Sequence, residues 1–463
     1  MNHTTSVLQH IADFMKQENV NLRELANKSD INAGTLSSIL NKNKILTVHH
    51  LDRLTKVMKY PEGHFYEQYI KDHLSQDIPN WRRFKPFLYR CADLDKLDCM
   101  KQIISLLMEN LMYSPLLFEV AEDLYQQDKP KAAKLLFENV AISEKQQHSE
   151  RLAFCQYRLF LIRLGTNQEK NYQAAIQFEP YVERLDELDQ LDALKDLGNI
   201  YRSLNQWDKV EMIANRLGHL ANTLYSTVRP DKIQKFSKPS RPLFTYIALS
   251  SLFYADVCDA RRDYNQALQY TYYYADLSWV KEDDTDTQHW KNIFQEWAQA
   301  NTYVNKLMSG DASILPEYVA YIETKQEELM TGLFNILEAA NRYRINVDDI
   351  LKKFESEITI YINQEMTINI YKTQFIENFF SQLLYKLAYY YLNKNDYNTG
   401  FEYLLKSLET SSSINNKRYI IKCMGLFEQY RDLASSETLI SYKTLIKGVH
   451  ENEEKNPGTC FDS

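Results

Sequence analysis

The chain is poor in the residues that interrupt helices: among 463 residues, Gly and Pro number only 11 each. That scarcity excludes an all-β fold, whose many tight turns draw on both, and points to long helices. The six cysteines (Cys91, Cys99, Cys155, Cys258, Cys423, Cys460) are scattered, with no CxxC pair. Neither a disulfide scaffold nor a zinc site follows, and reduced thiols are expected. No run of about 18 apolar residues is present, so no membrane-spanning helix and no membrane partner are expected. The opening MNHTTSVLQHIADFMKQ has no basic stretch followed by an apolar one, which speaks against a secretory signal and for a cytoplasmic protein. A Gly-rich phosphate loop, G-x-S-x-G and HExxH are all missing, so no catalytic residue, metal or cofactor is assigned and the chain is not read as an enzyme.

What is present is charge, unevenly divided. The net charge is −8. Residues 1–72 hold nine Lys or Arg and eight Asp or Glu, so the acidity belongs to the remainder of the chain. An acidic body repels nucleic acid and confines any DNA contact to the N-terminal segment.

That segment reads as a bundle of short helices. Leu8, Ile11, Ala12 and Met15 recur at helical spacing. Asn21 is placed to cap a helix over Leu22–Lys28, with Glu24 three residues on as in a capping box. Ser29, Asp30 and Ile31 form a tight turn. Asn32 caps a second helix over Ala33–Asn41, with Leu36, Ile39 and Leu40 turned to the core. Thr47 caps a further helix carrying Leu51, Leu54, Val57 and Met58. The free positions of the second helix are Ala33, Gly34, Thr35, Ser37, Ser38 and Asn41, small or polar as a helix lying in a major groove requires. Asn pairs bidentately with adenine, and Ser or Thr contacts several bases. His49 and His50 have no Cys, Asp or Glu partner at ligand spacing and read as a solvated helix start.

The stretch LRELANKSDINAGTLSSILNKNK, followed by TVHHLDRLTKVM, resembles the helix-turn-helix of the Xre/Cro-type repressor family. Leu22, Glu24, Leu25, Ala26, Ile31, Leu36, Ser37, Ile39, Leu40 and Leu51 stand where that pattern expects them. The resemblance implies a double-stranded DNA operator as partner, with Asn32, Ala33, Gly34, Thr35, Ser37, Ser38 and Asn41 at the interface. Two departures stand out. Asp30 occupies a turn position where the family often has Gly, and Asp tolerates the left-handed conformation better than most residues. The second helix carries no Arg or Lys before Lys42, so phosphate contacts rest on Arg23, Lys28, Lys42, Lys44 and helix N-termini. The alternative is a bundle that no longer binds DNA and serves in dimerisation or protein contact.

Residues 73–94 read as a linker, in which Pro79 and Pro86 break helices and Trp81, Phe84 and Phe87 interleave with Arg82, Arg83, Lys85 and Arg90. From residue 95 to 450 a helix pair recurs. The clear copies are 120–140, 197–217, 254–274 and 387–407, and weaker ones lie at 152–178, 296–320, 331–354 and 422–446. Each clear copy has a small residue on its first helix (Ala121, Gly198, Ala255, Ala388) and a small or apolar one on its second (Ala133, Val210, Ala267, Gly400). Trp207, Tyr264 and Tyr397 close the turns. Residues 226–243 read as a loop between repeats, and 451–463 as a flexible tail. The copies resemble the tetratricopeptide repeat, best at Leu191–Leu217. The fold expected is therefore all-α, an N-terminal helix-turn-helix bundle followed by a right-handed α-solenoid of degenerate repeats.

This combination resembles the RRNPP-type peptide-sensing regulators of Gram-positive bacteria, with PlcR- and NprR-like members and, more remotely, the arbitrium receptors of phages. The resemblance implies a homodimer that regulates transcription and whose repeats bind a short signalling peptide on their concave face through Asn and Arg side chains. Carried onto this chain, it implies Asn199, Arg202, Asp256, Asp259, Asn335, Arg342, Gln382, Tyr385 and Tyr389 as peptide-binding residues, since an amide reads both N–H and C=O of an extended backbone. A scaffold without a peptide ligand, in which the repeats bind a protein partner, is the alternative.

Overall fold

Helices make up every regular element of the described residues, which are 6–75, 79–144, 149–227, 239–325, 327–363 and 370–455 in a computed structural model. The fold is all-α, and contacts divide it into two units, residues 1–162 and 163–463. The first unit holds α1 (Val7–Gln17), α2 (Leu22–Ser29), α3 (Ala33–Leu40), α4 (Val48–Val57), α5 (Tyr66–Tyr69), α6 (Trp81–Asp93), α7 (Leu97–Met108), α8 (Ser114–Gln126), α9 (Pro130–Ser143) and α10 (Glu150–Arg163, whose last residue falls past the division). The second holds α11 (Gln168–Phe178), α12 (Glu187–Ser203), α13 (Trp207–Thr227), α14 (Leu243–Ala260), α15 (Tyr264–Ala275), α16 (Thr285–Met308), α17 (Leu315–Thr324), α18 (Leu329–Tyr343), α19 (Asp348–Lys353), α20 (Glu355–Asn363), α21 (Ile370–Asn393), α22 (Tyr397–Ser413), α23 (Lys417–Tyr430) and α24 (Ser436–Lys455).

In the first unit, local side-chain chemistry sets the helix boundaries. Asn21 and Glu24 form a reciprocal capping box on α2, Asn32 accepts from Gly34 N and Thr35 N at the start of α3, and Thr47 caps α4. Each satisfies backbone N–H groups that lack a helical partner. Asp30 closes α2 in the left-handed conformation, φ 51°. Leu25, Ala26, Leu36, Ile39, Leu51 and Leu54 are buried between these helices, whereas Leu40, expected in the core, is half-exposed.

The stretch expected to be a linker is mostly helix. Pro86 lies inside α6, although Pro lacks the N–H that would reach the Arg82 carbonyl. The helix continues because tertiary packing outweighs one lost bond: Phe84, Phe87, Leu88 and Cys91 are buried, and Phe87 meets Tyr66 and Tyr69 with ring centroids 4.9 and 5.5 Å away. Arg90 bonds Asp52 of α4 at 2.8 Å, and Tyr66 donates to the same carboxylate. This aromatic and ionic seam joins α6 to the N-terminal bundle, which is why the contacts divide after residue 162 and not within 73–94.

In the second unit, helices follow the expected copies: 197–217 spans α12 and α13, 254–274 spans α14 and α15, and 387–407 spans α21 and α22. In the first unit, 120–140 spans α8 and α9. The weaker copies also fall on helices: 296–320 on α16 and α17, 331–354 on α18 and α19, and 422–446 on α23 and α24. The stretch 152–178 is α10 and α11, one helix in each unit. A left-handed residue sits in each clear turn, at Asp128, Asn205, Arg262 and Asn395. All eight small or apolar positions of the clear copies are buried. Residues 228–238 of the expected inter-repeat loop and 456–463 of the expected tail lie outside the described residues.

First helices of successive pairs pack on one another in the order α12, α14, α16, α18, α21 and α23. The array also returns on itself. Asn378 of α21 donates to the Ser203 carbonyl at the end of α12 (2.9 Å), and Gln168 N bonds the Ile414 carbonyl (3.3 Å). α14 is long and apolar enough to cross a membrane, but its Phe244, Tyr246 and Phe253 are core residues of this unit.

Close approach sets the spacing of the first helices. A Cβ on Gly198 of α12 would stand 2.3 Å from Phe253 of α14, whereas one on Gly425 of α23 would meet nothing within 4 Å. Gly198→Ala is expected to destabilise the chain by ~1–3 kcal/mol through overpacking. Gly425→Ala is expected to stabilise it by up to ~1 kcal/mol through helix propensity. Urea unfolding that moved both midpoints in the same direction would contradict this account.

Candidate functional site

Two surfaces, one in each unit, carry the residues singled out from the sequence. In the first unit α3 buries Leu36 and Ile39 and leaves Gly34 and Asn41 exposed, with Ala33, Thr35, Ser37 and Ser38 half-exposed. Ser38 Oγ donates back to the Gly34 carbonyl (2.8 Å), and Asn41 Nδ2 reaches Ser37 Oγ at 3.4 Å. These local bonds hold short side chains close to the helix and keep its outer face low. Asn32 stands at the entry, but its side-chain oxygen is committed to Gly34 N (2.9 Å) and Thr35 N (3.2 Å), leaving its amide donors for any partner.

The basic residues divide between two places. Lys42, with φ 59°, and Lys44 follow α3, and Lys44 Nζ lies 3.5 Å from Thr35 Oγ1. Arg23 is exposed on α2. Lys28, grouped with these in the sequence reading, instead lines a cleft of about 840 Å³ with Arg53 and Lys56 of α4, Lys59 just after it, and His10, Asp13 and Phe14 of α1. The helical twist of α2 puts Lys28 five residues, and so about 140° in angle, from Arg23. Arg53 was not read from the sequence; it pairs with the Asp30 carboxylate at 3.2 Å and so buttresses the turn between α2 and α3. His50, expected to be solvated, has a buried Nδ1 without a partner, and burial holds its pKa below the usual imidazole value.

In the second unit the first helices carry half-buried polar stripes. On α12 these are Asp192, Lys195, Asn199 and Arg202, spaced three and four apart. Arg202 pairs with Asp256 of α14 at 2.6 Å, and its guanidinium lies 5.4 Å from the Phe253 ring. Asn199 Oδ1 accepts from Arg202 at 3.4 Å. Asp259, one turn beyond Asp256, has a buried Oδ1 with no hydrogen-bond partner. Burial and the neighbouring Asp256 charge push its pKa up to about 6, against the pull of Arg342 and Lys386. Arg342 of α18 donates to Glu338 (3.1 Å) and to the Tyr264 hydroxyl, so it is engaged and does not reach Asp259.

Three residues missed by the sequence reading complete the cluster. Glu338 lies four before Arg342, and Lys386 lies four after Gln382, so helical spacing alone marks both. Lys386 Nζ touches Glu338 and sits 4.4 Å from the Phe334 ring. Burial, with Lys422 and Arg418 near, pushes its pKa down to about 7 against the pull of Asp259. Lys422 of α23 lies 4.6 Å from the Tyr419 ring and 5.5 Å from that of Tyr385.

The structure therefore brings Asn199, Arg202, Asp256, Asp259 and Arg342 into one charged group. Gln382 and Tyr385 adjoin it through α23: Tyr419 donates to Gln382 Oε1 (3.0 Å) and meets Tyr385 edge-on at 5.6 Å, with Tyr389 beyond. Asn335 is set apart, its amide donating to the buried Tyr318 hydroxyl of α17 at 3.3 Å. Among the described residues no group of three or more His, Cys, Asp or Glu is placed to hold a metal ion.

The Asp259 carboxyl has a definite stability signature. Its pKa is raised on folding, so the folded chain holds a proton that the unfolded chain releases between about pH 4 and 6. Its stability contribution is present below that window and lost as pH rises through it. Asp259→Asn is expected to raise stability at pH 7.5 by ~1–3 kcal/mol and to leave it nearly unchanged at pH 4. Thermal melts at the two pH values that shifted equally would refute this.

No protein-family model matches the chain, and no curated protein is similar to it.

Proposed function

We propose that this chain is a DNA-binding transcriptional regulator, in which α2 and α3 act as a helix-turn-helix and the helix pairs of the second unit form a tetratricopeptide-like, right-handed α-solenoid that senses a short peptide. The observation that carries the reading is the outer face of α3: Gly34, Thr35, Ser37, Ser38 and Asn41 face outward, short and uncharged, between a capped start and Lys42 and Lys44. A helix of that profile fits the depth of a major groove and meets base edges with hydroxyl and amide groups. Arg23, Lys42 and Lys44 supply phosphate contacts, and Lys28 with Arg53, Lys56 and Lys59 supplies a second basic surface.

For the ligand, the polar stripes of α12, α14, α18 and α21 support a peptide over a whole protein partner. Charged groups facing one another across packed first helices suit an extended main chain. The regulator acts as a homodimer in the cytoplasm, two recognition helices reading an operator of two half-sites, and peptide binding shifts the population of head spacings that fit it. It performs no catalysis.

A gel shift on the DNA upstream of the protein's own coding sequence tests this. A discrete complex is expected, and Asn41→Ala or Thr35→Ala is expected to weaken it by about 5- to 150-fold. Lys42→Ala is expected to weaken all sequences alike and to lower the salt slope by about 1. Equal retardation of unrelated DNA by the native chain and the Asn41 variant would remove the helix-turn-helix reading and leave the scaffold.

A further inference from the structure

A smaller hollow lies in the first unit beside the C-terminal end of α3. The chain leaves that helix through Lys42, Asn43, Lys44 and Ile45. Lys42 takes the left-handed conformation, φ 59°, and Asn43 N and Lys44 N both bond the Ser38 carbonyl (2.8 and 3.0 Å). This tight exit stands opposite the start of α1 and a π-helical turn at Ile70–Leu74, and between them lies a cavity of about 300 Å³. That is the lower end of the range of small-molecule sites, about 300–1,000 Å³. Tyr69 braces two of the walls: its hydroxyl donates to the Leu46 carbonyl (2.8 Å), and its ring lies 5.4 Å from that of His73.

The lining is divided by chemistry. Leu8 of α1, Ile39 of α3 and Ile45 make an apolar side, and Ile45 keeps 49% of its surface exposed. Lys42, Lys44 and His73 make a polar one. His73 Nε2 is buried and has no hydrogen-bond partner. A buried ring nitrogen in that state is costly unless a ligand completes it. Burial, with Arg83 and Lys42 near, holds the His73 pKa below the usual imidazole value against the pull of Asp72, so the ring is neutral at pH 7, and Nε2 donates when it carries the ring proton. Asp72, the one carboxylate of the lining, is engaged elsewhere: it accepts from Val7 N at the start of α1 (2.8 Å) and from Gln68 Nε2 (2.7 Å). Two ammonium groups and one ring nitrogen thus face an apolar wall. A DNA phosphate needs the cations but not the wall. A carboxylate on an apolar body uses both.

We propose that this cavity binds a small monocarboxylate with an aromatic or branched aliphatic body, its carboxylate on Lys42, Lys44 and His73 Nε2 and its body against Leu8, Ile39 and Ile45. Binding itself rests on the cavity; its consequence rests on the DNA-binding reading above. On that reading the ligand occupies two of the cations that operator phosphates require, so it releases DNA at the head itself, without a signal from the second unit.

The test uses the full chain with benzoate, phenylacetate and 4-methylpentanoate, and with the matching amides and inorganic phosphate as controls. Ligand-observed NMR titration reads affinity without DNA. At least one acid is expected to bind, its amide to bind at least tenfold more weakly, and an equal concentration of phosphate to leave it bound. Ile45→Asp and Lys42→Gln change exposed positions, and each is expected to weaken the acid at least fivefold with the circular dichroism spectrum unchanged. In a gel shift on the upstream DNA, the bound acid is expected to dissolve the complex. Binding of no acid, displacement by equal phosphate, or an affinity that neither variant lowers overturns the site. An acid that binds and leaves the DNA complex intact overturns the release. Binding of the acid by a chain that forms no DNA complex under any condition removes the helix-turn-helix reading, and the release with it, and leaves the site standing.

Discussion

Close approach of parallel helices is the constraint on which the second unit depends. Gly198 lets the Phe253 ring lie against the backbone of α12, and the two helices thereby come near enough to run in register. Register in turn decides which polar side chains meet. Arg202 finds Asp256 because Tyr246 finds Asp192 ten residues earlier. A larger residue at 198 would push the helices apart before any salt bridge formed, since packing repulsion rises far more steeply than ion-pair attraction falls.

That geometry places several charges where they are largely surrounded by protein. Asp256 has 26% of its side chain exposed, but burial still raises its pKa against the Arg202 charge. A folded chain holding a carboxylate such as Asp259 without a donor accepts a stability penalty, and a penalty of this kind is removed by a ligand that brings the missing charge. Buried ion pairs are weak evidence for stability in general, because desolvation offsets the attraction.

The first unit solves a different problem. Its first helices are too brief to be stable alone, so α1 to α4 are each fixed by a side-chain cap and a few buried apolar residues. Asn21, Asn32 and Thr47 set three helix starts, and Asp30 turns the chain between α2 and α3. These local bonds leave the outer face of α3 low and polar. The seam of Tyr66, Tyr69 and Phe87, with Arg90 on Asp52, then ties this bundle to α6.

How much of this could be read in advance follows from the range of each interaction. Helix identity, the caps, the left-handed Asp30 and the spacing of the helix pairs were legible in the order of residues, because each depends on neighbours within about four positions. So was the Asn199 and Arg202 stripe, which needs only helical periodicity. Pro86 inside α6 was not legible, because rings from residues far away in the chain outweigh the bond it loses. Nor was the direction of Lys28, the diversion of Asn335 to Tyr318, or the contact of Asn378 with Ser203 across 175 residues. The sequence by itself determined an all-helical chain of paired helices with a small polar face near its start. Only the tertiary structure decided which charges are satisfied and which stand without a partner, as the Asp259 Oδ1 does, since that depends on which helices come to lie side by side, and side chains distant in sequence settle it.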